Sequence, residues 1–131
     1  GSISSHDISL PLSTVSTFID EARVEISKLG NFRINCFGHL GDGNLHFNIF
    51  PNKGEKREDY NYIRPEIKTT IHDLVHLHGG SVSAEHGIGR LKINDLVKYS
   101  DPIKLKLNRS IKAVMDPKGI LNPGVIFASN Q

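Results

Sequence analysis

Two short stretches of the chain hold the residue types that bind ions and move protons. In GHLGDGNLHF, residues 38–47, His39 and His46 stand on either side of the turn-forming Gly41-Asp42-Gly43-Asn44. In SAEHGIGR, residues 83–90, Glu85 and His86 sit beside glycines that allow close backbone approach. Two imidazoles and one carboxylate are a sufficient first shell for a divalent ion with positions left open for water or substrate. A further neutral imidazole can take a proton near neutral pH. The alternative for paired strand histidines is a half-exposed pair that merely fills a pleated surface.

A shared ion requires the two hairpin histidines to meet. With Asp42-Gly43 as the central residues of a type I′ turn, strands over Phe32–His39 and Leu45–Phe50 set His39 opposite His46, their Cβ atoms about 4.5–5.5 Å apart. Phe37 with Asn48, and Asn35 with Phe50, then share that face, while Ile34, Cys36, Leu40, Leu45, Phe47 and Ile49 form a core face. In a regular strand Glu85 and His86 would point to opposite sides. Their joint use requires the expected strand over Ser81–Glu85 to end or bulge there, which Gly87 permits.

The remaining elements frame this hairpin. His6–Leu12 alternates Ile8, Leu10 and Leu12 against polar neighbours and reads as a short strand. Ser13 or Thr14 can cap a helix whose Val15, Phe18, Ile19, Ala22, Ile26 and Leu29 follow the 3.6-residue period, with Gly30 as its stop. After a polar loop over Asn52–Glu58, Ile63, Ile67, Ile71, Leu74 and Val75 mark a second helix with Pro65 in its first turn and Gly79-Gly80 at its end. From Ile93 on the chain is helical again, with Asp101-Pro102 as cap and first-turn pair and Met115-Asp116-Pro117 as the end. The order β-α-β-β-α-β predicts an α+β, ferredoxin-like fold: a four-stranded antiparallel sheet with two helices on one face and a C-terminal helical extension. Residues 1–131 are expected to form one domain, with a core over 1–92 and a helical tail over 93–131.

Composition narrows the function classes. The chain has 131 residues, 37% hydrophobic and 23% charged, as for one globular domain. Its net charge of +2 comes from 16 basic and 14 acidic residues scattered along the sequence, which disfavours nucleic acid and anionic membranes as partners. A single cysteine, Cys36, rules out an internal disulfide and a thiolate zinc cage and fits a reducing compartment. No apolar run approaches the roughly 20 residues of a membrane span, and no signal peptide is visible. These features point to the cytoplasm, or the mitochondrial matrix in a eukaryote. Gly1-Ser2 is compatible with a cloning scar, in which case a targeting segment would be missing with the true N-terminus.

Three segments in this order, GHLGDGNLHFNI, SAEHGIGRLK and MDPKGILNPGVIF, resemble the hallmarks of the C-terminal domain of FAD-linked oxidases. That family includes D-lactate dehydrogenases, the glycolate oxidase subunit and D-2-hydroxyglutarate dehydrogenases, and the resemblance runs from about His6 to Phe127. It implies an oxidoreductase that converts a D-2-hydroxy acid to the 2-oxo acid. His39, His46 and Glu85 match the ligands of a divalent ion, usually zinc. His86 matches the base that takes the hydroxyl proton while the α-hydrogen leaves as hydride to FAD. Asn48 matches a substrate-contacting position and Asn122 a segment that approaches the flavin. Nothing in the chain resembles the family's FAD-binding domain, so the flavin is expected from that domain elsewhere, and the isolated chain is expected to be inactive. The carboxylate anchors of the family lie largely upstream, which leaves the hydroxy acid unnamed.

Two other classes compete. His72-Asp73-Leu74-Val75-His76 puts two histidines at i and i+4 of a helix, similar to the zincin H-E-x-x-H but with the shorter aspartate and no evident third ligand. A non-enzymatic ferredoxin-like module could instead form a homodimer or bind a ligand through its free sheet face, where Phe37 and Phe50 would need cover.

Overall fold

In the computed structural model, residues 1–128 are described, and they divide after His86 into two compact units. In the first, helix α1 (Val15–Leu29) buries Val15, Phe18, Ala22 and Ile26. Helix α2 (Arg64–Leu77) carries Pro65 in its first turn, where the missing N–H has no partner to lose, and buries Ile67, Ile71 and Val75. His78, just past α2, pairs with Glu21 of α1 at 2.7 Å and ties the two helices together.

Strands β1 (Ser4–Ser9), β2 (Arg33–Phe37) and β3 (Asn44–Phe50) form an antiparallel sheet in the order β1-β3-β2. Phe47 of β3 meets Phe18 of α1 edge to face at 5.7 Å. On the same face His6 of β1, paired with Phe47 in register, bonds to His72 of α2 at 3.2 Å. Both helices therefore cover one face, and the fold is the expected α+β arrangement.

The expected fourth strand is reduced to a single antiparallel bridge, Ser9 to Ser81, closed by two backbone hydrogen bonds of 2.9 and 2.8 Å. Beyond it the side chain of Asp7 captures the backbone N–H groups of Glu85 and His86, both at 2.9 Å. Those donors are lost to any edge ladder, and no strand continues past Ser81.

The hairpin register departs from expectation. His46 faces Phe37, not His39, and Asn48 faces Asn35. The offset is two residues, and because side chains alternate with period two, every strand residue keeps the face the sequence assigns. The connection is a longer loop in place of a two-residue turn: His39 leaves the strand, Leu40–Asp42 form a 3₁₀ turn, and Gly43 closes it in the left-handed region at φ 67°. Gly43 also accepts a 2.9 Å hydrogen bond from Leu10 N–H, and a Cβ there would run into the Leu10 carbonyl oxygen. The turn is thus set by a contact with a distant segment, which overrides the local Asp-Gly preference. The same contact lies where β1 has already stopped at Ser9; Leu12, expected in that strand, sits exposed in a 3₁₀ turn.

The second unit holds α3 (Ile93–Tyr99) and α4 (Pro102–Met115). The Asp101 carboxylate caps α4 by accepting from the N–H groups of Ile103 and Lys104. At the other end Asp116 accepts from Lys112 Nζ at 2.7 Å and from the N–H groups of Ile120 and Leu121, each at 3.0 Å. It thereby pins the loop that leads into Asn122. The Lys112 hydrogen bond, opposed by desolvation and aided by the two backbone donors, holds the Asp116 carboxyl below its ordinary range. A carboxyl lowered in the folded state stabilises it above the unfolded pKa, and that stabilisation is lost as pH falls through the folded value. The stability gap between the native chain and Asp116→Asn is therefore expected to be constant above about pH 5 and to shrink below about pH 4. Thermal unfolding of both across that range checks it, and a pH-independent gap would contradict the role given to the charge.

Candidate metal centre

His46 lies in the middle of β3 on the face away from the helices, between Asp7 of β1 and Phe37 of β2. The Phe37 ring packs against its imidazole at 5.1 Å. Strand pairing on both sides leaves the His46 side chain only 22% exposed, against 71% for His39 on its loop. Glu85 is brought over this face by the Asp7 bonds to its own and the next backbone N–H. Its Oε1 accepts from the buried Asn44 amide and stands 3.8 Å from His39 Nε2. His86 follows directly, its ring 5.9 Å from that of His46 and its Nδ1 3.9 Å from Asp7 Oδ2.

Four of the sequence-predicted site residues, His39, His46, Glu85 and His86, thus converge on one end of the open sheet face. Asn48, two residues beyond His46, shares that face and is half-buried. Asn122 belongs to the second unit, where it adopts a left-handed φ of 47° and lines a cavity of about 520 Å³ with Arg109, Lys112 and Phe127.

Two participants escaped the sequence reading: Asp7 and Asn44. Alternation in the first strand does put Asp7 on the side opposite Ile8, but its proximity to Glu85 follows only from the tertiary path of the chain. Among the described residues, three side chains of types able to hold an ion, Asp7, His46 and Glu85, each offer an atom within 4.8 Å of the others. Tetrahedral zinc with nitrogen and oxygen ligands sets donors roughly 3.4 Å apart, so a bound ion would draw its donors closer than they stand here. The donor chemistry fits a divalent ion: imidazole and carboxylate on a polar, partly open face.

The competing placements carry less. Cys36 pairs with Phe47, on the helix-covered side, and burial pushes its thiol up despite Arg23, which disfavours the thiolate that would ligate or attack. His72 turns into the core to bond His6, while His76 is exposed, so the helical pair does not present a shared site.

Known proteins agree with the motif order. The family model of FAD linked oxidases, C-terminal domain, matches residues 1–126. The chain belongs to this family. Among similar proteins are the D-2-hydroxyglutarate dehydrogenase of Stutzerimonas stutzeri, 36% identical over 95% of this chain, and the mitochondrial enzyme of that name from Arabidopsis thaliana, 37% identical over 94%. The mitochondrial D-2-hydroxyglutarate dehydrogenase of Danio rerio is 38% identical over 90% of the chain. The matched segment covers only 27%, 21% and 21% of those three proteins, so the chain spans about a quarter of the length of these relatives. No helix among the described residues is long and apolar enough to cross a membrane.

Proposed function

We propose that residues 1–131 act as one metal- and substrate-handling domain of an FAD-dependent dehydrogenase that oxidises a D-2-hydroxy acid to the 2-oxo acid. The observation that carries this reading is the convergence of His39, His46, Glu85 and His86 on the open sheet face of a chain belonging to the FAD-linked oxidases. Names of the relatives favour D-2-hydroxyglutarate, with D-lactate and glycolate as the smaller acids of the same class.

His39, His46 and Glu85 would hold a divalent ion, zinc by donor type. When bound, the ion makes the substrate hydroxyl more acidic and the flavin accepts the α-hydrogen with its electron pair. His86 takes the hydroxyl proton. Its Nδ1 side faces Asp7, which leaves Nε2 on the far side of the ring for that transfer. Asn48, on the same face as His46, offers an amide to the substrate, and Asn122 approaches the flavin from its own loop.

The FAD-binding domain is the partner this reading requires. The exposed stripe of Ile103, Leu107, Ile111 and Val114 along α4 supports a covering domain, because apolar patches of this kind mark interfaces. Cytoplasm or mitochondrial matrix suits such an enzyme. A test compares the full-length FAD-containing protein with the 131-residue chain, supplying D-2-hydroxyglutarate, D-lactate or glycolate and a dye acceptor. The full-length protein is expected to oxidise one of these acids, whereas the chain alone retains no FAD and shows no turnover. Stoichiometric FAD binding and turnover by the chain alone, or no oxidation of any D-2-hydroxy acid by the full-length protein, would overturn the reading.

A further inference from the structure

We infer that Asp7 is the positioning residue of the metal centre, a buried carboxylate that orients both the Glu85–His86 segment and the His46 ring without itself binding the ion. This rests on the metal-centre reading above. Asp7 is the most buried acid of the group, its side chain 5% exposed, and it stands in the central register position directly opposite His46. Its two oxygens serve different elements. Oδ2 accepts the backbone N–H groups of both Glu85 and His86 at 2.9 Å, fixing two consecutive residues whose side chains would otherwise diverge. Oδ1 faces His46 Nδ1 at 4.0 Å, beyond hydrogen-bond length but closed by a small rotation of the ring.

The chemistry of such an arrangement is specific. An imidazole whose Nδ1 points at a carboxylate keeps its proton there and presents the unprotonated Nε2 as ligand. Asp7 Oδ2 is occupied by two backbone donors and Oδ1 faces the His46 ring, whereas Glu85 is the more exposed carboxylate at 46%. Asp7 is thereby suited to orient, Glu85 to ligate. Asn44 completes the support by holding Glu85 Oε1 through its amide.

Cobalt(II), alone and in place of zinc, reads the distinction in the 131-residue chain. Asp7→Asn keeps a carbonyl acceptor for the backbone donors but removes the charge facing His46. It is expected to weaken cobalt binding about 10–100-fold, the usual scale for a partner outside the ligand shell, while the visible absorption band at saturation keeps its position. A shifted band would make Asp7 a ligand and overturn the inference, as would unchanged affinity in Asp7→Asn when His46→Ala abolishes binding. Unchanged affinity in His46→Ala would instead remove the metal-centre reading on which the inference rests. Nitrogen-15 NMR of the unsubstituted, metal-free chain at about pH 8 gives a readout that needs no variant. His46 is expected as the Nδ1–H tautomer, and a dominant Nε2–H tautomer would overturn the inference even if Asp7→Asn failed to fold.

Discussion

Replacing His86 by alanine in the full-length protein of the proposed reading is expected to lower kcat and kcat/KM together by roughly 10²–10⁴, the scale of losing a positioned general base. A joint fall is the signature of an interaction made in the transition state, since a residue that only helped bind substrate would raise KM and leave kcat alone. The structure supports a loss confined to chemistry. The His86 side chain is 69% exposed and contributes nothing to the core, and the bond that holds its segment is made by the backbone N–H, which alanine retains. Flavin content and the thermal midpoint of His86→Ala should therefore match those of the native enzyme. Steady-state kinetics with D-2-hydroxyglutarate, D-lactate and glycolate, together with the flavin absorbance of the purified variant, measure both. Near-native turnover on the acid that the parent oxidises would make His86 a structural residue and remove the proposed proton acceptor.

How far the sequence reached differs by element, and the reason is the range of the interactions involved. Helices α1 and α2 are legible because the apolar stripe and the end signals are local: Phe18, Ala22 and Ile26 in α1, Pro65 and Ile67, Ile71 and Val75 in α2. β3 is legible too, since Leu45, Phe47 and Ile49 alternate with polar neighbours over its whole length. The register of β2 against β3 is not, because Gly43 is committed to Leu10, more than thirty residues earlier, and no local turn rule contains that contact. Faces survived the error only because the offset is even. The centre shows the same division. His46 and Glu85 could be picked out by type and spacing, but Asp7 enters through a hydrogen bond to a segment 78 positions away. Asn44, read from sequence as a turn residue, is buried as the first residue of β3 with its amide on Glu85.

Zinc titrated into the 131-residue chain should bind through His46 far more than through His39. His46 is held from both sides by strand pairing and by the Phe37 ring, so its imidazole loses little freedom on binding. His39 stands outside the strand at φ −92° and ψ 85°, and its exposed side chain must be ordered at about 0.5–1.5 kcal/mol before it can contribute. That ordering cost removes up to roughly a factor of ten from what an equivalent prepositioned ligand would add, by the equivalence of 1.4 kcal/mol with one decade. His46→Ala is accordingly expected to lower zinc affinity by more than the 10–100-fold typical of partners outside the ligand shell, and His39→Ala by distinctly less. The double variant should show no specific uptake. Isothermal calorimetry on the four proteins, with cooperative unfolding confirmed for each, measures the ranking directly. Equal zinc uptake by the native chain and the double variant would remove His39 and His46 from the centre. A larger loss from His39→Ala than from His46→Ala would show that the loop closes over the ion, so that the preorganised strand position is not what dominates affinity.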